Sequence, residues 1–493
     1  MDMSFFDNAG GSDPGLIGGD LLGGTRASQD EVIKAIQAGA RPFVPGSGTM
    51  DAVTPEDLSE LVTEIVFKDK HTVVGKMLST AEAKNATHRY ARLLSEGGLE
   101  SDFVPEGGGS QVDSDPVFDS PDVQLRQITR QYTITEMQRY IHTLAATGGV
   151  QGRKAYLRTM QIRKAERNLD YSRVFGDGTL NGASYDGMIT LVRAAAAAAG
   201  TTDEWIRDLR GEELTPEFID DLVVDVFNSA GEPTHLLTSP NVVGRLSQRQ
   251  LAFRRDGVSV GQKASPIIQG QRATGLLSST DLEIGYKSSI VMQPEFHTFN
   301  YVPAGIGTNQ PAQPVIAAAG AGAPGLGQVS QWAVGDAGTY SYRIVAYHGT
   351  RGQSVPVTSA DIPVGAGEMV TGEIDDAAIL NAHIDHYKIW RRRGTGPFQY
   401  MTSVAKGAFG VNTTFFDLND DIPGTSYAIL FNPDPEYVQQ VRLGNKNFYE
   451  IGVPLGANSA MPTSWLYFLI KFEALIVRAP SWFRIIKNCA ARG

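Results

Sequence analysis

The chain has 493 residues, which suggests more than one domain, and 42% of them are hydrophobic, which is enough for at least one sizeable core, while 20% are charged. The formal net charge of −11 argues against tight, non-specific wrapping of DNA, and the single cysteine, Cys489, excludes an intrachain disulfide and favours a reducing compartment. The low charge content, beside 54 glycines and 25 prolines, fits either a protein whose surface is largely buried against partners or a loop-rich globular protein.

Glycine is abundant in residues 1–50, which predicts an extended arm. Ser28, with a glutamate three residues later, predicts the start of a short helix that ends near Gln37. A second helix is expected from Thr54, because Pro55 fits its first helical position. The opening residues contain neither a basic segment nor a continuous apolar segment, so we expect no secretion signal.

A two-stranded loop is predicted next. Residues 89–94 and 124–135 have strand character, and a polar, glycine-rich tip over residues 104–116 lies between them. A link of this length does not make a compact hairpin, and an isolated two-stranded ribbon is only marginally stable in water. We therefore expect the loop to protrude and to be supported by another molecule.

A long basic helix is predicted over residues 151–175. Its apolar residues fall in two narrow stripes, which is typical of a helix packed on more than one side, and Gly176 ends it. Its cations could pair with acidic residues of a neighbouring chain, remain solvated, or lie against DNA phosphates. The candidate residues are Arg153, Lys154, Arg158, Arg163, Lys164 and Arg167.

The central part of the chain mixes helices with strands. Helices are expected over residues 215–231 and 240–252, each beginning near a proline, and a strand is expected within residues 281–292. This mixture predicts an α+β protein.

The order of these parts resembles the Hong Kong 97 fold of the major capsid proteins of tailed bacteriophages. Residues 173–189 resemble the passage into the axial domain of that fold, residues 235–268 its central segment, and residues 466–488 its closing strands. The resemblance implies four parts, which are an N-terminal arm with short helices (1–82), an extended loop (83–136), a spine helix with peripheral and axial domains (137–310), and a C-terminal return to the core (433–493).

Residues 311–432 resemble a fibronectin type III or immunoglobulin-like sandwich inserted into that fold. Residues 304–328, rich in Gly, Ala and Pro, have the composition of a linker and lead into this domain. Tyr340, Tyr342 and Ile344 then alternate with polar residues, as a sandwich strand requires. Such domains occur as surface insertions on phage shells, so we expect this one to project outward. Its basic triplet is either a solvated strand end or a contact for an anionic surface ligand, and consists of Arg391, Arg392 and Arg393.

The resemblance implies a structural protein and not an enzyme. Copies would form pentamers and hexamers of an icosahedral shell, assembled in the host cytoplasm and packed with double-stranded DNA held by weak, non-specific contacts. A portal protein, and in some cases scaffold and cement proteins, would be partners, and no membrane is implied. Inter-subunit contacts of the loop are expected at Phe103, Val104, Val117 and Phe118. The alternatives are an encapsulin-like cargo compartment and a glycan-binding adhesin.

No catalytic, cofactor or metal site is predicted. The glycine cluster at residues 176–182 lacks the strand and helix that flank a phosphate-binding loop, and no segment resembles a nucleophile elbow. His383 and His386, and the turn at residues 419–421, could bind a metal ion, but exposed polar positions and an ordinary turn are the favoured interpretations. The apolar run at residues 465–477 is too short to span a membrane.

Some capsid proteins of this family crosslink through a lysine of the extended loop, but residues 85–130 contain no lysine. We therefore expect no covalent link between subunits. Particles boiled in SDS should migrate as one band near the chain mass of 53.1 kDa. A ladder of dimers and higher species would contradict this prediction.

Overall fold

A computed structural model describes residues 72–95, 115–136, 142–144, 150–253, 275–292, 311–349, 351–375, 384–408, 411–455 and 464–490. The chain divides into two compact units, Met1–Val66 with Tyr140–Tyr156, and Phe67–Arg139 with Leu157–Gly493. In the first unit, a short hairpin pairs β7 (His142–Leu144) with β8 (Val150–Gly152). The helices predicted near Ser28 and Thr54 lie outside the described residues.

The described residues contain six α-helices, and three of them were predicted from the sequence. The caps explain two boundaries, because the Thr215 hydroxyl accepts from the Phe218 amide at 3.2 Å and Gly200 ends a helix with φ of +72°. None of these helices is long and apolar enough to cross a membrane. The helices are α1 (Val74–Met77), α2 (Arg153–Phe175), α3 (Met188–Ala199), α4 (Thr202–Trp205), α5 (Pro216–Phe227) and α6 (Pro240–Phe253).

A five-stranded sheet carries α2 on one face. Its strands are β1 (Ser79–Ala83), β6 (Arg126–Thr135), β23 (Val438–Leu443), β24 (Tyr449–Pro454) and β25 (Ser464–Val477). β25 pairs with β6 on one side and with β23 and β24 on the other. Leu169 and Ala165 of α2 share a buried core with Tyr132, Tyr467 and Leu469 of the sheet.

A two-stranded arm is attached to this sheet, but its second strand is not the predicted one, because Arg126–Thr135 forms β6 of the sheet and pairs with β25. The arm consists of β2 (Thr87–Arg89) paired with β5 (Asp122–Gln124), and β3 (Arg92–Ser95) paired with β4 (Val117–Asp119). At its base, Tyr90, Val123 and Leu125 pack on a small core in the sheet. The loop tip expected over residues 104–116 lies largely outside the described residues, as do Phe103 and Val104.

A second sheet has six strands and packs against α5 and α6. Its order is β11 (Gly275–Leu277), β12 (Glu283–Ser288), β10 (His235–Thr238), β22 (Ser426–Phe431), β26 (Arg484–Cys489) and β9 (Ile206–Asp208). Ile219, Leu222 and Leu246 of the helices share a core with Leu236 and Leu430 of the sheet.

Two antiparallel sheets with one common core form an all-β module. One contains β13 (Ile316–Gly322), β18 (Met369–Ile374) and β21 (Thr413–Asp417). The other contains β14 (Gly338–His348), β15 (Gly352–Gln353), β16 (Val357–Thr358), β17 (Ile362–Val364), β19 (His386–Arg393) and β20 (Gln399–Ala405). Tyr342 and Ile389 of the second sheet pack with Val370 and Phe415 of the first.

The C-terminal boundary predicted for this module, residue 432, lies too far along the chain, because it includes a strand of another sheet. β22 lies inside the predicted range, yet it pairs with β10 and β26 of the six-stranded sheet. After Ser426, β22 is a continuous run of apolar residues, and such a run does not indicate which sheet the strand joins.

Adjacent phenylalanines of β21 provide a matched test of the module core. Phe415 is 2% exposed and Phe416 is 48% exposed. We expect Phe415→Ala to lower the free energy of unfolding of the module by about 3–5 kcal/mol, because it leaves a cavity, and Phe416→Ala to lower it by less than about 0.5 kcal/mol. Urea unfolding followed by tryptophan fluorescence measures both, and equal effects would contradict the assigned orientation of β21.

Candidate functional site

A buried cluster of charged side chains joins α2 to β25. Arg173 of α2 is fully buried, and its guanidinium donates to Glu473 of β25 through Nε at 2.9 Å and Nη2 at 3.1 Å. It also donates to Asp170 at 2.7 Å. The two-point contact fixes both the position and the rotation of the helix on the sheet.

Lys471 completes the cluster from the sheet side. Its ammonium lies 2.7 Å from Glu473 and 2.9 Å from Glu166 of α2. Burial alone would raise the pKa of Glu473, but Arg173 and Lys471 outweigh burial and lower that pKa to about 2. Glu473 is therefore ionised at neutral pH although it is buried.

Helix α1 approaches the cluster closely through a glycine. The Gly75 amide donates to the Asp170 carboxylate at 2.9 Å. A Cβ atom at Gly75 would lie 2.1 Å from the Arg173 guanidinium, so no larger residue fits without moving the cluster. Burial raises the pKa of Asp170 in spite of Arg173 and this amide.

The remaining basic residues of α2 do not act as one group. Arg158 pairs with Glu450 of β24 at 3.1 Å, and Lys154, Arg163 and Arg167 also have contacts within the chain. The side chain of Arg153 lies outside the described residues.

Sequence reasoning gave no role to Arg130 of β6, whose positive charge repels those of Lys164 and Arg167 on α2. Burial lowers the pKa of all three groups, and Arg130 lowers the pKa of both Lys164 and Arg167 further by repulsion. Arg130 is far from Lys164 and Arg167 in the sequence, so no local pattern indicated this repulsion.

The arm exposes apolar side chains beyond its base. Val117 is 52% exposed, Phe118 is 64% exposed, and Leu93, paired with Phe118 across the arm, is 49% exposed. An ion pair between Arg92 and Asp119 at 2.6 Å ties its two strands together. Large apolar residues this exposed on a narrow ribbon are typical of a surface that another molecule covers.

The arginine triplet of the module does not form a common surface, which corrects the sequence interpretation for Arg391. Arg391 is 5% exposed, and it donates to Asp417 at 2.7 and 2.9 Å and to Asn419 at 2.8 Å. Its side chain points to the module interior because residues alternate between the faces of a strand. Arg392 and Arg393 remain accessible.

The module joins the body across a polar cavity of about 190 Å³. Arg193 of α3 donates to the Tyr427 hydroxyl at 3.2 Å, which donates to Asp421 at 2.8 Å. Burial raises the pKa of Asp421, and Arg193 opposes it. Arg210 also binds Gln331 of the module, so several polar contacts fix the module against the body.

The residues considered as metal ligands contact other side chains, are buried, or lie outside the described residues. In the turn after β21, Asn419 binds Arg391, Asp420 binds Lys487, and Asp421 binds Tyr427. His386 is buried, which lowers its pKa to about 3, and His383 lies outside the described residues. Within the described ranges, no group of three or more metal-binding side chains occurs.

No protein-family model matches the chain, and no curated protein matches it. Several solved structures are distantly similar. The capsid of a native GTA particle is 10% identical with a TM-score of 0.43, over 91% of this chain and 100% of that chain. A chain from Mycobacterium phage Bobi is 10% identical with a TM-score of 0.39, over 93% and 98%. The SrpI encapsulin of Synechococcus elongatus PCC 7942 is 9% identical with a TM-score of 0.37, over 88% and 93%.

Replacing Glu473 with Gln tests the buried cluster. The change leaves two buried cations without their main counter-ion, so we expect a loss of about 3–5 kcal/mol in the free energy of unfolding at pH 7. Glu213→Gln, which removes an exposed partner of Arg249, should have a smaller effect.

The pH dependence of this loss has a definite sign. The folded-state pKa of Glu473 is about 2, below its usual 4.5, so its stabilisation is complete above pH 4.5 and disappears as the pH falls towards 2. The difference in urea midpoint between the wild type and Glu473→Gln should therefore narrow over that interval. A difference that stays constant from pH 7 to pH 3 would contradict an ionised, buried Glu473.

Proposed function

We propose that this chain is the shell-forming subunit of a virus particle, with the Hong Kong 97-like fold of tailed-phage capsid proteins. The proposal rests on the order and geometry of its parts, which are a long helix clamped to an antiparallel sheet, a two-stranded arm, and a separate mixed sheet with helices. The sheet with α2 corresponds to the peripheral domain of that fold, and the six-stranded sheet to the axial domain. Copies form pentamers and hexamers of an icosahedral shell around double-stranded DNA.

The arm is the observation that carries this proposal. Nine residues, Thr87–Ser95, run along the arm, which corresponds to about 30 Å at the usual rise of a strand. Beyond Tyr90, its described backbone hydrogen bonds run between its own two strands, and Val117 and Phe118 are exposed. A two-stranded ribbon of this kind is marginally stable alone, so its natural support is a neighbouring subunit.

The rigid packing of α2 on the five-stranded sheet suits a shell subunit. The cluster of Arg173, Glu473 and Lys471 holds helix and sheet in one arrangement, and each copy can then present the same surfaces to its neighbours. Weak contacts repeated around a closed shell give a stable particle through multivalency.

The all-β module is proposed to be an immunoglobulin-like or fibronectin-like insertion on the outer surface. Its two antiparallel sheets and common core support this assignment. An outward position lets a whole domain be added without blocking assembly. Arg392 and Arg393 are then the remaining candidates from the triplet for contact with an anionic surface ligand.

The other partners follow from the same proposal. A portal protein would occupy one vertex, and scaffold and cement proteins could assist assembly. Basic residues of α2 could make weak, non-specific contacts with packaged DNA. The particle would assemble in the host cytoplasm.

Negative-stain electron microscopy and sedimentation of the purified chain test the shell. Closed shells, tubes or hexameric rings are expected. A chain that stays monomeric at high concentration, also with a scaffold protein added, would overturn the proposal. Particles isolated from infected cells should contain nuclease-protected DNA, whereas particles that contain only a docked enzyme would favour the encapsulin-like compartment.

Charged substitutions on the arm give a sharper test. We expect Val117→Asp with Phe118→Asp to raise the concentration needed for assembly at least about tenfold, because two buried contacts per interface are lost. Phe416→Asp, at an exposed position of the module, should assemble as the wild type. Circular dichroism of the unassembled protein checks that both variants fold, and normal assembly of the arm variant would contradict the role of these residues.

A further inference from the structure

One face of the all-β module carries two arginines beside a tryptophan. Arg343 of β14 lies opposite Trp390 of β19, and Arg392 follows two residues further along β19. The core of the module receives Tyr342 and Ile389. Because residues alternate between the faces of a strand, Arg343, Trp390 and Arg392 lie on the face turned away from that core.

Phe398, in the turn between β19 and β20, brings the two arginines to one ring. The guanidinium carbon of Arg343 lies 4.0 Å from the centre of the Phe398 ring, and that of Arg392 lies 4.7 Å from it. A guanidinium held over an aromatic ring keeps the N–H groups in its own plane free to donate. We call Arg343, Trp390, Arg392 and Phe398 the arginine face.

Several donors of the arginine face have no acceptor. Nε of Arg343 is buried and has no hydrogen-bond partner among the described residues. Within the same part of the chain, Arg343 forms no ion pair, and no group accepts from the indole N–H of the half-buried Trp390. A buried donor without an acceptor is costly, so a ligand that supplies acceptors would complete this face.

Arg392 is only partly neutralised within the chain. Its Nε donates to the Ser341 hydroxyl at 3.2 Å, and its Nη2 lies 3.7 Å from Asp361. The Asp361 side chain is 64% exposed and also accepts from the Ser341 hydroxyl. An ion pair this long and this exposed is weak, so an incoming carboxylate can compete with Asp361 for Arg392.

Arg393 does not belong to the arginine face. Its Nη2 donates to the carbonyls of Gly335 and Ala337, both at 3.0 Å. It also follows Arg392 directly, so the alternation along β19 turns it to the other side of the strand. The arginine triplet therefore contributes one residue to this face, and Arg343, distant in the sequence, supplies the second cation.

The chemistry of the arginine face indicates the class of ligand. A guanidinium binds a planar carboxylate through paired N–H donors. An aromatic ring with a free N–H suits the apolar face and the hydroxyl groups of a sugar. Paired antiparallel strands form this surface, so it fits a segment of an extended polymer. The net charge of −11 disfavours a densely charged polymer such as DNA and favours one with a single carboxylate on each sugar.

We propose that the arginine face binds the carboxylate-bearing sugars of an acidic polysaccharide. The inference rests on the proposed function and names the ligand of the module that is proposed to lie on the outer surface of the shell. A few contacts on an open face bind weakly, but many copies on one particle bind such a polymer together with high avidity. The modules would thereby hold the particle at a surface coated with the polymer.

Binding of assembled particles to immobilised polysaccharides tests the proposal. We expect the particles to bind polygalacturonate or polysialic acid, which both carry one carboxylate on each sugar. Fully methyl-esterified polygalacturonate keeps the sugars without the charges and should not bind. Polyglutamate has carboxylates without sugars and should bind at least about tenfold more weakly. Failure to bind either acidic polysaccharide, or equal binding to either control polymer, would overturn the assignment.

Adjacent arginines supply matched variants for the same assay. Arg343→Gln and Arg392→Gln should each weaken binding at least about tenfold, because each removes charged donors. Arg393→Gln removes the neighbouring charge on the other side of β19 and should bind as the wild type. Arg343→Lys keeps the charge without the planar donor pair and should have an intermediate affinity. Circular dichroism checks that the variants fold, and an equal loss in Arg393→Gln would contradict the arginine face.

Tryptophan fluorescence locates the ligand without requiring a shell. Oligomers of galacturonate or sialic acid at millimolar concentration should change the fluorescence of the unassembled protein, and Trp390→Phe should remove that change. A fluorescence change in a chain that never assembles would overturn the shell function and leave the arginine face standing. Shells that form normally but neither bind the polymers nor respond to the oligomers would overturn only the arginine face.

Discussion

The contact between Arg173 and Glu473 is the constraint on which the body of this protein depends. The two residues are 300 positions apart in the sequence, and their pairing holds the long helix to the C-terminal strand. Buried charges are costly unless they are fully compensated, and here Lys471, Asp170 and Glu166 complete the set. A helix rotated by one residue would bury Arg173 without partners, so the cluster selects one arrangement of helix and sheet.

The functional surfaces follow from that arrangement. β25 carries Glu473 and also pairs with β6 along ten residues, so the position of α2 on β25 is linked to that of β6. The arm continues from the beginning of β6. One buried ionic contact thus also sets where the arm leaves the body. The apolar end of α2, at Tyr171 and Phe175, lines the cavity where the all-β module meets the body.

Sequence reasoning succeeded where a local signal was strong. The helix beginning at Pro216 has a threonine cap, a proline at its first position and regular apolar spacing, and each signal is independent of the rest of the fold. It missed α3, whose alanine-rich half offers no amphipathic pattern and which is held by packing around Met188 and Val192. The sequence-based prediction placed Arg391 at the surface because three consecutive arginines indicate a polar segment. In a strand, however, alternate residues face opposite sides, and Arg391 faces the interior.

By itself, the sequence determined the kinds of elements, their order, the polar character of the loop tip and the basic character of the long helix. These depend on neighbouring residues, whose spacing and charge can be read directly. Only the tertiary structure decided which sheet contains β22 and which arginines are buried. The reason is physical, because strand pairing and charge burial are contacts between residues far apart in the chain, and their free energy depends on partners that no local pattern specifies.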